Sequence, residues 1–175
     1  MTGTAQLINQ TSGNTEYYSP IDIVDAARYV MSGIDLDPAS SALANARIGA
    51  ARYFTEAEDG LACEWAGRVW LNHPFSRTQN KAWIEKLVQE YYIDRVEQAC
   101  CITYAATSEA WFSPLMGFPQ CFLSPRTNYY LPDGTLKRGV TKGSVVTYLG
   151  PQWKRFWLAF RHRGSVTLPA GRFLS

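Results

Sequence analysis

The chain has 175 residues, 46% of them hydrophobic and 18% charged, enough for one packed core and too apolar for a disordered polyelectrolyte. No apolar run approaches the roughly 18 residues of a membrane helix, and the polar stretch 1–14 lacks the apolar centre of a secretory signal, so a cytoplasmic protein is expected. The net charge of +2 conceals a division. Residues 1–75 carry nine acids and four bases, residues 76–175 six acids and thirteen bases, and a surface that is basic on one side attracts a polyanion.

Residues 1–15 read as a flexible arm and 16–175 as a single domain. Pro20 to Met31 repeats apolar residues at helical spacing, with Ser19 as the expected N-cap, Pro20 in the first helical position and Gly33 as the stop. Ile34 to Asp37 reads as a short strand, Ser40 to Ala51 as an alanine-rich helix, and Arg52 to Thr55 as a second strand. Asp59-Gly60 marks a turn. Arg68 to Leu71 is a strand ending at Asn72, and Lys81 to Tyr92 a helix with Trp83, Ile84, Leu87 and Val88 on one face. Gln98 to Ala106 is a buried strand, Glu109 to Leu115 a short helix or loop, and Cys121 to Leu123 a strand. A basic hairpin follows between Asn128 and Lys142, and Ser144–Leu149 and Trp157–Phe160 are further strand candidates. Strands that alternate with helices indicate an α/β sheet. Cys63, Cys100, Cys101 and Cys121 form no C-x-x-C pair and sit in apolar stretches, which indicates buried free thiols rather than a metal site.

The stretch richest in chemistry is Val69-Trp70-Leu71-Asn72-His73-Pro74-Phe75-Ser76: a strand, an amide, a proline-stiffened turn and an aromatic ring. In open α/β sheets, sites lie beyond the carboxyl ends of strands. An Asn oxygen and the main-chain carbonyl of residue 73 can accept both protons of an aromatic amine and favour the positive charge that develops when it attacks an electrophile. Pro74 holds residue 73 extended, and Phe75 can stack on a flipped base.

Around this stretch stand, in order, Glu16-Tyr17-Tyr18-Ser19-Pro20, Ile34-Asp35-Leu36-Asp37-Pro38-Ala39-Ser40, Ala44-Asn45, Tyr53-Phe54-Thr55, Asp59-Gly60-Leu61, Trp65-Ala66-Gly67, Trp83 with Lys86, Trp111-Phe112 and Gly143-Ser144. The series resembles the phage-type DNA N6-adenine methyltransferase (Dam) family over most of residues 16–150. The resemblance implies a single Rossmann-like methyltransferase domain with a mostly parallel sheet, bound S-adenosylmethionine, and adenine N6 methylation of double-stranded DNA. It implies Asn72, His73, Pro74 and Phe75 as the catalytic tetrapeptide. It also implies Tyr18, Ser19, Pro20, Asp35, Asp37, Pro38, Ser40 and Asp59 as cofactor-binding residues. A role in protecting phage or prophage DNA from restriction in a bacterial host follows from the family alone.

This chain departs from the family's commoner Asn-Pro-Pro-aromatic pattern at His73. The main-chain carbonyl survives the exchange, so proline at 73 is expected to serve as well or better. An imidazole that accepts the released proton is the other reading. Arg77, Lys81, Lys137, Arg138 and Lys142 are candidate phosphate contacts, with Tyr129 and Tyr130 flanking the basic hairpin; cations exposed for solubility are the plainer reading. Two other functions fit the same residues: methylation of RNA or of a protein glutamine, whose amide resembles an adenine amine, and DNA binding without catalysis.

Overall fold

The computed structural model describes residues 17–75, 78–131, 133–137 and 142–170. The expected arm over residues 1–15, and the candidate contacts Arg77 and Arg138, lie outside the described residues.

Helix α1 (Ile21–Met31) buries Ile23, Val24, Ala27, Val30 and Met31, the stripe read from the sequence. Its N-cap is Pro20 rather than Ser19: the Pro20 carbonyl accepts from the Ile23 and Val24 amides, and the Ser19 hydroxyl stays out of the cap. The helix stops one residue before Gly33, at Ser32, which takes the left-handed conformation. Strand β1 (Leu36–Asp37) leads to α2 (Ala42–Ile48), capped by Ser41 Oγ accepting from the Ala44 amide at 3.1 Å. Strand β2 (Arg52–Tyr53), a 3₁₀ turn (Glu56–Glu58), β3 (Gly67–Leu71), α3 (Asn80–Tyr92) and β4 (Val96–Tyr104) follow. After a second 3₁₀ turn (Ser113–Gly117) come β5 (Gln120–Leu123), the hairpin β6 (Tyr129–Tyr130) and β7 (Leu136–Lys137), β8 (Ser144–Leu149), α4 (Trp153–Phe160) and β9 (Gly164–Thr167).

Trp157–Phe160, expected as a strand, is the end of helix α4. Its aromatic content suits a strand, but the buried pair Phe156 and Phe160 are four residues apart while Trp157 and Leu158 stay exposed, which is a helical face. Strand β9 was not expected; four residues of mixed polarity leave too short a pattern.

Among the described residues the main sheet has seven strands in the order β2-β1-β3-β4-β8-β5-β9. β2, β1, β3 and β4 pair in parallel, β8 lies antiparallel between β4 and β5, and β9 is antiparallel to β5. Five strands therefore share one direction, giving the mostly parallel, Rossmann-like sheet expected. Alternate side chains split between two layers. Trp70, Cys100, Ile102, Val146 and Tyr148 pack with α1, α2 and α4 on one face, and Val69, Leu71, Ala99, Cys101 and Val145 pack with α3 on the other. Cys100, Cys101 and Cys121 are buried free thiols, whereas Cys63 is half-exposed and donates to the Glu58 carbonyl.

This topology places the site. From β1 the chain crosses through α2 to β2 on one side, then returns to β3 and β4 on the other. The connections part between β1 and β3, which opens a crevice at their carboxyl ends.

Candidate active site

A cavity of about 230 Å³ occupies that crevice. The segment before α1, the loops that follow β1, β2 and β3, and helices α2 and α3 build its wall. The end of β1 delivers Asp37, Pro38 and Ser40, the end of β3 delivers Asn72, His73, Pro74 and Phe75, and the segment before α1 lays Tyr17, Tyr18 and Ser19 across the opening. Trp83 of α3 and Ala44, Arg47 and Ile48 of α2 also line it. The turn after the first 3₁₀ segment adds Asp59, whose carboxylate accepts from the Leu61 amide at 3.2 Å. This turn fits against the β1 loop so closely that a Cβ on Gly60 would stand 1.8 Å from the Pro38 carbonyl oxygen.

Asn72 is held from outside its own strand. Its Nδ2 donates to the Tyr17 carbonyl at 2.7 Å, so the amide oxygen is the acceptor that the side chain offers to the cavity. His73 is 1% exposed, and its Nδ1 lies 2.9 Å from the Pro74 carbonyl oxygen, which can only accept; the proton therefore sits on Nδ1. The ring is nearly parallel to Trp83, at 7° and 6.3 Å between centroids. Burial pushes the imidazole pKa down to about 4, opposed by the bond to Pro74, so His73 is neutral and a weak base at physiological pH. Of the two readings of His73, the structure disfavours the proton acceptor that titrates near 6.5.

Phe75 stands in an aromatic group that no sequence motif announces. Its ring lies 4.4 Å from Tyr104, 5.7 Å edge-on from Tyr129 and 6.5 Å from Tyr17. Tyr129 is fixed in turn by a hydrogen bond shared with the Ser144 hydroxyl at 2.8 Å. Tyr104 comes from the end of β4 and Tyr129 from the hairpin, and no local pattern ties either to residue 75. The ammonium of Lys142 sits 5.2 Å over the Tyr104 ring, so one candidate DNA contact touches this group directly.

Asp37 is buried in the cavity wall. Desolvation raises its pKa to about 7, against hydrogen bonds from the Ser40 hydroxyl and the Ala39 amide that favour the charge. A carboxylate in such a position gains most from a cation brought beside it.

Asp35, expected beside Asp37, is a correction. It precedes β1 at the amino end of the sheet, and its carboxylate is taken by Arg68, from Nε at 2.7 Å and Nη2 at 2.6 Å. That pairing holds the Asp35 carboxyl below its usual range. Position along the chain separates the two carboxylates: Asp35 lies before β1 beside Arg68, and Asp37 ends β1 in the cavity wall. Pro20 is also outside the cavity wall, occupied with capping α1. Lys81 forms an exposed pair with Glu85 at 3.7 Å on α3, and Lys137 ends β7 in the hairpin. The hairpin is joined to the segment before α1 by two main-chain bonds between Tyr18 and Tyr130, at 2.8 and 2.9 Å.

The family model for DNA N-6-adenine-methyltransferase (Dam) matches residues 11–117, a span that includes every cavity-lining segment just described. The chain belongs to this Dam family. No curated protein matches the chain. Membership in the Dam family implies a DNA adenine methyltransferase, and methyltransferase families generally use S-adenosylmethionine. Among the described residues no helix is long and apolar enough to cross a membrane.

Proposed function

We propose that this Dam-family chain transfers a methyl group from S-adenosylmethionine to the exocyclic amine of adenine in double-stranded DNA, with Asn72-His73-Pro74-Phe75 as its catalytic tetrapeptide. The observation that carries the reading is the placement of Asn72. It stands at the carboxyl end of β3, beside the parting of the connections, with its amide nitrogen committed to Tyr17 and its oxygen left as the acceptor.

The cavity wall suits the cofactor. Asp37 is a buried carboxylate fit for the cationic amino group, and Ser19 Oγ is buried without a partner among the described residues. Tyr18, Pro38, Ser40 and Asp59 complete the proposed binding set. The bound cofactor supplies a methyl group on a positively charged sulfur, an excellent leaving group.

The chain's own residues then have defined tasks. Asn72 Oδ1 accepts one N–H of the adenine amine and the His73 main-chain carbonyl accepts the other, both favouring the charge that develops on nitrogen. Phe75, backed by Tyr104 and Tyr129, offers its ring to the flipped base. In-line positioning by these groups supplies much of the remaining acceleration. Lys137 and Lys142 contact DNA phosphates, with Arg77, Lys81 and Arg138 as further contacts. Protection of phage DNA from restriction is the biological setting we attach to this reading.

The deciding experiment is mass spectrometry of nucleosides from duplex DNA incubated with the protein and S-adenosylmethionine. N6-methyladenine is expected. Its absence, with methylated RNA or methylated glutamine found instead, would overturn the assignment.

A further inference from the structure

The cavity wall is unevenly charged. Among the described residues that line it, Asp37, Glu56 and Asp59 carry carboxylates, and Arg47 alone carries a guanidinium or ammonium. Arg47 stands in the last turn of α2 and is half-buried. Helical side chains lean toward the N-terminus of their helix, which here is the end that follows β1 and Asp37.

The corner around Arg47 is built from three distant segments. Its guanidinium lies 4.6 Å over the ring of Tyr130 in the hairpin. Tyr130 pairs through its main chain with Tyr18, and the Tyr18 hydroxyl shares a hydrogen bond with Oγ of Ser41, the N-cap of α2, at 3.1 Å. Stacking occupies the face of a guanidinium and leaves its N–H groups, which lie in the plane, able to donate. Among the described residues the Arg47 guanidinium makes no hydrogen bond or ion pair. A held guanidinium with its fork open matches a planar oxyanion.

S-adenosylmethionine carries two cations, the sulfonium and the ammonium, and one anion, the carboxylate of its amino-acid end. A wall with three carboxylates and one guanidinium has the complementary charges. DNA phosphate is the other oxyanion of the reaction. Its backbone stays outside when a base is flipped, on the side of Lys137 and Lys142, whereas Arg47 faces the cavity that also holds Asp37.

We propose that Arg47 donates a two-pronged hydrogen bond to the carboxylate at the amino-acid end of the cofactor, with Tyr130 setting the plane of its guanidinium. The inference rests on the cofactor reading above. It makes α2 and the hairpin part of the cofactor site.

The test removes the carboxylate from the ligand. S-adenosylhomocysteine and its decarboxylated analogue, S-adenosyl-3-thiopropylamine, are titrated calorimetrically into the full-length wild type, Arg47→Gln and Arg47→Lys, each shown by its melting curve to be folded. Wild-type protein is expected to prefer S-adenosylhomocysteine by on the order of tenfold or more. Arg47→Gln is expected to bind the analogue as wild type does and to lose the preference. Arg47→Lys, a point charge without the fork, keeps part of it. Equal affinity of wild type for the two ligands overturns the proposal, as does a preference that survives in Arg47→Gln. Duplex DNA is titrated into the same proteins over a salt series. A lower salt slope in Arg47→Gln with an unchanged ligand preference assigns Arg47 to a phosphate and also overturns it. Failure of wild type to bind either ligand defeats the cofactor reading itself, which separates that outcome from the loss of this proposal alone.

Discussion

The side-chain nitrogen of Asn72 donates to the Tyr17 carbonyl at 2.7 Å, linking the end of β3 to the segment before α1 across 55 residues of chain. The same segment pairs through Tyr18 with Tyr130 of the hairpin. The Asn72 amide, the segment before α1 and the basic hairpin are therefore connected through main-chain groups. Asn72→Ala is expected to lower the methylation rate on the order of a hundredfold or more, the usual loss for one preorganised polar group at a developing charge. Asn72→Asp sets a carboxylate oxygen against the Tyr17 carbonyl, so it is expected to lose rate and thermal stability together. Single-turnover kinetics and a melting curve check both, and near-normal turnover in either variant would end the proposed role.

Asp37 supplies a pH signature. Its folded pKa of about 7 stands above the unfolded value of 3.8. Between those values the unfolded chain loses the proton and the folded chain keeps it, so a penalty on folding grows as pH rises and is constant above about 7. Asp37→Asn removes the penalty. Without ligand at pH 8 it is expected to stabilise the fold by on the order of 2–4 kcal/mol. A cationic amino group needs the charged carboxylate, so wild-type affinity for S-adenosylhomocysteine should fall as pH drops below 7. Asp37→Asn should bind weakly with a flat profile. Paired melting and calorimetry at pH 6 and 8 give the answer, and parallel wild-type and mutant pH profiles would count against the assignment.

His73 has the opposite sign. Its folded pKa of about 4 lies below the ordinary value of 6.5, so its contribution is fully present above 6.5 and is lost as pH falls toward 4. His73→Phe is expected to be less acid-sensitive than wild type across that window, by about 3 kcal/mol at its lower end. The wild-type methylation rate should show no acid limb at 6.5 from this ring. Proline at 73, which the family pattern favours, would leave space beside Trp83 and is expected to lower stability. Melting temperatures at pH 4.5 and 7 for the three proteins test this, and equal acid sensitivity would show that the imidazole is solvated.

Charge reversal at Lys137 and Lys142 is expected to weaken DNA binding evenly across sequences. It should reduce the slope of log affinity against log salt by about one for each phosphate that is no longer neutralised. Because Lys142 lies over Tyr104, which packs on Phe75, reversal there should also lower the rate on bound DNA, whereas reversal at Lys137 should not. Fluorescence anisotropy over a salt series provides the slopes. An unchanged slope in both variants would place the DNA on another face.

The order of strands and helices, the α/β class and the tetrapeptide at the end of β3 were mostly legible in the sequence, because period, caps and short motifs are local properties. The helical stripe of α1 and the position of Asn72 just past Leu71 needed no partner to be seen. What the sequence could not determine is what depends on two distant segments meeting. Asp35 and Asp37 look equivalent in a string, yet strand direction sends one to Arg68 at the far end of the sheet and leaves the other buried in the cavity. His73 reads as a turn residue until α3 brings Trp83 against it and burial removes its basicity. Tyr17, Tyr104 and Tyr129 carry no motif that points to one another; the closing of the sheet alone gathers them around Phe75. Burial and hydrogen-bond partners set the chemistry of these groups, and both are created by packing between segments far apart in the chain.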